Sequence, residues 1–130
     1  MRRKYSNALQ EGTEDSIDLS AADQDFLNKL VDITYSKMSS CTIDIEQIAS
    51  AMCMSSKQLN RKLLAITGEN TTSYIIQIRL SKAKRLLDSP ENIPIGDIAM
   101  QCGFEDSAYF SRIFKKMFNL TPSQYKKRVR

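Results

Sequence analysis

Two stretches decide the fold of this chain: residues 95–118, which read IGDIAMQCGFEDSAYFSRIFKKMF, and residues 45–68, which read IEQIASAMCMSSKQLNRKLLAITG. In both, apolar residues recur three and four positions apart, which is the spacing of one face of an α-helix. Each stretch predicts a short helix, a turn and a longer helix. The longer helices stop near Gly68 and Asn119, two residue types that accept the left-handed conformation of a helix C-cap.

The two stretches are copies of one unit. A shift of 50 residues places Cys53 on Gly103, and after one extra residue in the second turn a shift of 51 places Arg61 on Arg112. In such a helix-turn-helix unit the first helix braces the second, whose outward face can enter a major groove about 12 Å wide. The repeat therefore predicts two potential DNA-reading helices in one chain.

Working outward from the repeat, the apolar spacing predicts an all-α, homeodomain-like fold of seven helices with no strand. Ser20, Asp44 and the Ser55–Gln58 pair are predicted helix caps. The Ser20 cap starts a helix at 21–37, a longer helix covers about 72–87, and Pro122 opens the last one. The predicted organisation is a flexible linker or tail at 1–20, a first helix-turn-helix subdomain at 21–70, a linker helix at 71–89 and a second subdomain at 90–130.

The linker helix is predicted to bury one stripe and expose the other. The apolar stripe is Ile76, Leu80, Ala83 and Leu87, and the solvent-facing residues are Arg79, Lys82, Lys84 and Arg85. A stiff helix of this kind would let both units face the same side of a duplex, one helical turn or about 34 Å apart.

Composition narrows the function. The 130 residues carry a net charge of +4, distributed as −4 over residues 1–53 and +8 over residues 54–130, so the positive potential belongs to the C-terminal part of the chain. The chain has no histidine and no glycine-rich phosphate loop, which disfavours an enzyme, a metal site or any other cofactor. Cys41, Cys53 and Cys102 are interpreted as small buried hydrophobic residues. No apolar run approaches a membrane span or a signal core, and a cytoplasmic protein without a small-molecule ligand is expected.

The outward faces of the two longer helices supply the candidate DNA contacts. Arginine can bind guanine O6 and N7, asparagine can bind adenine, and alanine or tyrosine can touch a thymine methyl group, so Arg61 and Arg112 are the leading base readers. Serine hydroxyls near the helix starts and backbone amides there would hold phosphates. The predicted phosphate contacts are Ser55, Ser56, Ser107, Ser111, Lys115 and Lys116. Salt-sensitive affinity is further expected from Lys126, Lys127 and Arg128.

One region of the sequence comprises Ile98-Ala99, residues 103–118 and Thr121-Pro122-Ser123-Gln124-Tyr125. This region resembles the signature of AraC/XylS-type bacterial transcription regulators. The resemblance extends over roughly residues 21–128. It implies that both recognition helices bind double-stranded promoter DNA and that RNA polymerase is a partner. It also implies base contacts from Lys57, Asn60 and Arg61 in the first unit and from Ala108, Tyr109 and Arg112 in the second.

Residues 23–33 and 61–68 look most like the output domain that ends hybrid two-component sensor proteins, whose full-length forms can be anchored in the inner membrane and carry a histidine kinase. A small stand-alone regulator of the same family is the competing context. A helical interaction module with an acidic protein partner is the alternative from another class, and an enzyme with this domain appended is a more distant one.

Three residues depart from the family pattern. Cys53 and Asn119 stand where glycine is common, and a positive φ at Cys53 would cost about 1 kcal/mol. Pro94 stands where a serine or threonine cap is usual, so the fifth helix is expected to start without a side-chain cap.

Overall fold

The computed structural model describes residues 20–38 and 44–129, which form seven α-helices and no strand. In chain order they are α1 (Ala21–Ser36), α2 (Ile45–Ala51), α3 (Ser56–Thr67), α4 (Thr71–Asp88), α5 (Ile95–Gln101), α6 (Ser107–Phe118) and α7 (Pro122–Val129). The all-α prediction is confirmed, and α2 with α3 and α5 with α6 are the two helix-turn-helix pairs. None of these described helices is long and apolar enough to cross a membrane. The predicted lead-in, apart from Ser20, and Cys41 lie outside the described residues.

The chain divides into two compact units. Of the described residues, unit 1 contains 20–37 and 44–78, and unit 2 contains Met38 and 79–129. The division falls between Ile78 and Arg79, inside α4. The first part of α4 therefore belongs to the same unit as α1, α2 and α3, and the second part belongs to the unit of α5, α6 and α7.

Short polar side chains start the first helices where the sequence predicts them. Ser20 Oγ accepts a hydrogen bond from Asp23 N at 3.1 Å, and Asp44 Oδ1 accepts one from Gln47 N at 3.2 Å. Each satisfies a backbone N–H that has no partner inside its helix. Before α5, Pro94 provides no side-chain cap, as expected.

The core of unit 1 consists of the apolar faces of its helices. Leu30 from α1, Ile48 from α2, Leu59 and Leu63 from α3 and Ile75 from α4 are all buried. They recur at helical spacing within each element, so one continuous core forms when the helices pack. This core holds α3 in place from behind and leaves its opposite face in solvent.

The core of unit 2 is largely aromatic. Ring centroids lie 5.2 Å apart between Phe104 and Phe110, 5.7 Å between Phe110 and Phe114, and 4.7 Å between Phe114 and Phe118. These tilted pairs are close enough to add to the burial of apolar area. The row runs along the inner face of α6, so it fixes the outer face of that helix.

The end of unit 2 is closed by α7. Gln124 N donates to Thr121 Oγ1 at 3.1 Å while Thr121 N donates to Gln124 Oε1 at 2.9 Å, which completes a reciprocal capping box. Tyr125 donates its hydroxyl hydrogen to Asp88 Oδ1 at 2.5 Å, a contact that joins α7 to the end of α4.

Among the described residues four have positive φ, and they end a helix or turn the chain in each copy of the repeat. Cys53 has φ 63° and its counterpart Gly103 has φ 87°, whereas Gly68 and Asn119 end α3 and α6 with φ 79° and 67°. In the turn after α2, Cys53 therefore adopts the left-handed conformation that Gly103 adopts in the second unit, although it carries a side chain.

Arg79 corrects the prediction for the linker helix. It was expected in solvent, but only 3% of it is exposed, and its guanidinium Nη1 donates to the carbonyl oxygen of Gly103 at 3.0 Å. The prediction failed because the turn of unit 2 leaves a buried carbonyl group beside α4, and a buried carbonyl needs a donor. Lys82 and Lys84 are half-buried, and Arg85 is exposed.

The cysteine interpretation is confirmed for Cys102 and wrong for Cys53. Cys102 is buried in unit 2, and this burial raises the pKa of its thiol to about 11, against smaller lowering effects of Lys82 and Arg79. Cys53 is exposed because it lies in the tight turn between α2 and α3.

Candidate nucleic-acid interface

The start of α3 is fixed by a reciprocal capping box. Gln58 N donates to Ser55 Oγ at 3.1 Å, and Ser55 N donates to Gln58 Oε1 at 2.9 Å. Ser55 is exposed and Ser56 is half-buried. The Ser55 oxygen already accepts one hydrogen bond, but its hydroxyl hydrogen can still donate to a phosphate.

The outer face of α3 presents two cations. Lys57 and Arg61 are exposed and lie four residues apart, which makes them neighbours on the helix surface. Leu59 and Leu63 are buried on the opposite face. The adjacent Lys62 points its Nζ over the ring of Phe26 in α1, 5.0 Å from the ring centroid, so it helps to attach α1 to α3.

Asn60 makes hydrogen bonds within unit 1 that the sequence did not predict. Its Oδ1 accepts hydrogen bonds from Thr71 N at 3.0 Å and from Thr71 Oγ1 at 3.3 Å, at the start of α4. Reading adenine with both groups of a carboxamide uses the oxygen as well as the NH₂ group. Since the oxygen is engaged within unit 1, only the NH₂ group of Asn60 is left to meet a base.

The start of α6 is capped differently. The Asp106 Oδ1 atom accepts from both Ala108 N at 2.9 Å and Tyr109 N at 3.3 Å. These two amides, which the sequence offered as phosphate donors, therefore already have an acceptor. The side chains of Ser107, Ala108 and Tyr109 are exposed.

Arg112 and Tyr109 form a stacked pair on the outer face of α6. The guanidinium carbon of Arg112 lies 5.3 Å from the Tyr109 ring centroid, and both side chains are exposed. The Tyr109 ring is in turn 6.4 Å from the ring of Phe104, which is buried in the turn. Tyr109 therefore packs against Phe104 on one side, while 36% of the residue remains exposed.

The other predicted phosphate contacts of unit 2 lie farther along α6. Lys115 and Lys116 are exposed in its last turn, where positive charge also complements the helix dipole, and Ser111 is half-buried.

The C-terminal helix gives a correction to the predicted cations. Lys127 and Arg128 are exposed, but Lys126 Nζ donates to the carbonyl oxygen of Ile93 at 2.8 Å and is half-buried. Lys126 therefore connects α7 to the segment before α5. Its ammonium group is committed to a contact inside unit 2, in contrast to the exposed Lys127 and Arg128.

The predicted residues thus fall into two sets, each on the start and outer face of one helix. Unit 1 brings together Ser55, Ser56, Lys57, Asn60 and Arg61 around α3. Unit 2 brings together Ser107, Ala108, Tyr109, Ser111, Arg112, Lys115 and Lys116 along α6. Both sets can donate hydrogen bonds and positive charge to a polyanion.

Comparison with known proteins identifies relatives of the chain. A family described as "Helix-turn-helix domain" matches residues 48–128. Over 128 residues the chain is 34% identical to Histidine kinase P4 of Formosa agariphila, covering 98% of this chain and 9% of that protein. Over 76 residues it is 42% identical to the HTH-type transcriptional activator RhaR of Klebsiella pneumoniae, covering 58% of this chain and 27% of that one. The chain therefore spans about a tenth to about a quarter of the length of these relatives.

Solved structures share the fold over most of their length. A transcriptional regulator of Chromobacterium violaceum, described by its AraC-type DNA-binding domain, is 25% identical with a TM-score of 0.75, covering 85% of this chain and 96% of that one. The C-terminal domain of the two-component response regulator yesN from Fusobacterium nucleatum is 30% identical with a TM-score of 0.65, covering 82% and 99%.

The family match covers more than half of the chain and contains both helix-turn-helix pairs almost completely. It therefore includes α3 and α6, the helices that carry the predicted contacts. The chain is a DNA-binding domain. It belongs to the helix-turn-helix domain family and is an AraC-type DNA-binding domain of a transcription regulator.

Proposed function

We propose that this domain inserts α3 and α6 into adjacent major grooves of one promoter duplex and reads a non-palindromic site with a single chain. One observation carries the proposal. Each helix is buried on one side and presents an exposed arginine on the other, Arg61 in α3 and Arg112 in α6, at equivalent positions of the repeat. Successive major grooves on one side of a duplex are about 34 Å apart.

Within each groove the side chains have distinct roles. Arg61 and Arg112 donate to guanine O6 and N7, and Lys57 adds a donor beside Arg61. Ala108 and Tyr109 offer apolar contact to a thymine methyl group. Asn60 uses its NH₂ group alone, because its oxygen accepts from Thr71.

Phosphate contacts fix the register of the domain on the duplex. Hydroxyl groups and ammonium groups at the edges of the two helices supply them, namely Ser55, Ser56, Ser107, Ser111, Lys115 and Lys116. The lysines neutralise phosphate charge and each contributes about −0.9 to the slope of log K against log salt, whereas the neutral serine hydroxyls add hydrogen bonds without steepening that slope.

Selection of bound sequences from random duplexes, followed by binding measurements across a salt series, tests the proposal. We expect an enriched site with two half-sites about 10 base pairs apart and a steep loss of affinity as salt rises. Arg112→Ala should relax the preference in one half-site and Arg61→Ala in the other. Failure to enrich any motif, with binding to an acidic protein instead, would favour the interaction-module alternative.

We further propose that the parent protein is a two-component phosphorelay regulator whose output is this domain, acting in the cytoplasm and positioning RNA polymerase. The support is the match to a histidine kinase over 98% of this chain and the likeness to the output domain of a response regulator. A reporter placed behind the selected site should respond to the parent only when its phosphorelay is intact. A response that is independent of phosphorylation would favour a stand-alone regulator.

A further inference from the structure

Three side chains of unit 2 lie in a row that runs from the core to the exposed face of α6. Phe104 is buried in the turn, the Tyr109 ring lies 6.4 Å from it, and the Arg112 guanidinium lies 5.3 Å from the Tyr109 centroid. Tyr109 and Arg112 are one helical turn apart on α6, so they meet on the same face. The guanidinium is therefore held by a ring that is itself supported by the core.

Unit 1 lacks this arrangement at the equivalent position. The repeat places Tyr109 on Gln58, whose side chain accepts from Ser55 N in the capping box of α3. No ring can approach Arg61 from that position. The difference follows from the caps, since Asp106 accepts from two amides by itself and leaves the residue at position 109 without a capping role.

We propose that Tyr109 is a positioning residue that presets the Arg112 guanidinium for guanine, and that the second unit consequently discriminates its guanine more sharply than the first unit does. This inference rests on the proposed function. Reading O6 and N7 needs the planar guanidinium in one orientation, and a stacked ring removes most of the others. Arg61, which has no such ring at the equivalent position, must lose that freedom on binding.

The structure assigns the effect to the ring and not to the hydroxyl group. The Arg112 contact is a cation over an aromatic face, which phenylalanine also provides, and glutamine would reproduce the residue of unit 1. Exposed contacts of this kind correspond to about two- to fivefold in an equilibrium constant. We expect Tyr109→Gln to lower the preference for guanine by that factor and Tyr109→Phe to keep it.

The experiment measures dissociation constants for two duplexes: the selected site, and the same site with the guanine read by Arg112 replaced. The single variants are Tyr109→Phe, Tyr109→Gln and Arg112→Ala. Tyr109→Gln is also combined with Arg112→Ala and, as the matched control, with Arg61→Ala. Tyr109→Gln should reduce the ratio of the two constants two- to fivefold in the wild type and equally in the Arg61→Ala background. It should have no effect on the ratio in the Arg112→Ala background.

Each outcome decides a separate question. If Arg112→Ala abolishes the preference while Tyr109→Gln leaves it intact, the positioning role is refuted and the proposed function stands. If Tyr109→Gln has the same effect with and without Arg112, Tyr109 contacts the base itself, and the positioning role is again refuted. If neither Arg112→Ala nor Arg61→Ala changes any preference, the proposed function fails.

Discussion

Gly103→Ala is expected to destabilise unit 2 strongly, because the site allows neither the backbone conformation nor the volume of alanine. Gly103 has φ 87°. An added Cβ would lie 2.8 Å from Arg79 Cζ and 2.9 Å from the Met38 carbonyl oxygen, and it would lie even closer to Arg79 Nη1. The carbonyl oxygen belongs to the backbone, and the guanidinium is 3% exposed, so neither has room to withdraw easily.

The magnitude has two parts. Positive φ costs a residue with a Cβ about 1–2 kcal/mol. Displacing the guanidinium removes its hydrogen bond to the Gly103 carbonyl, and hydrogen bonds to charged groups contribute about 1.5–3 kcal/mol. The sum, about 2.5–5 kcal/mol, corresponds to a fall in Tm of about 10 °C or more for a unit of this size.

Circular dichroism during heating measures the loss, and hydrogen exchange of the α5 and α6 amides assigns it to unit 2. The matched control is Cys53→Gly at the equivalent turn of unit 1, where φ is 63° and a side chain is already present. That substitution relieves strain and should stabilise the protein by up to about 1 kcal/mol. If Gly103→Ala unfolds within 1 kcal/mol of wild type, the turn can relax, and Arg79 does not clamp it as described.

Four further predictions test which side chains serve the fold and which remain available to solvent or DNA. Asn60→Ala should cost about 1–2 kcal/mol in urea unfolding by removing the acceptor at the start of α4, and an unchanged midpoint would contradict this role. Lys116→Met should reduce the slope of log K against log salt for DNA binding by about one. Lys126→Met should change that slope less and should instead lower the Tm. Equal slopes for the two variants would refute the distinction. At pH 8, mass spectrometry of alkylated peptides should find Cys53 modified rapidly and Cys102 slowly, and similar rates would contradict the burial of Cys102. Burial raises the pKa of Cys102 from 9.0 to about 11, so the folded state favours the protonated thiol. The free energy of unfolding should therefore fall as pH rises from 9 toward 11. Cys102→Ala should remove this part of the pH dependence.

Local rules predicted most of the fold from the sequence. The predicted α1 and α4 ends differ from the observed ones by one residue. Asp44, the Ser55 and Gln58 box and the left-handed Asn119 were all predicted from residues within four positions of each other. A helix cap or a turn depends on such neighbours, so their identity suffices. The internal repeat added the equivalence of Arg61 and Arg112, which rests on sequence alone.

Only the tertiary structure decided which polar side chains serve the fold. Arg79 donates to a carbonyl 24 residues away, Lys126 to one 33 residues away, and Asn60 accepts from an amide 11 residues away. Each was expected in solvent or on DNA, because helical spacing shows the face of a residue and not what packs against it. A buried backbone group must find a partner, and which side chain reaches it depends on how the helices pack. The sequence therefore determined the helices and most of their apolar faces, whereas packing buried Arg79 of α4 and determined which polar groups remain available for DNA.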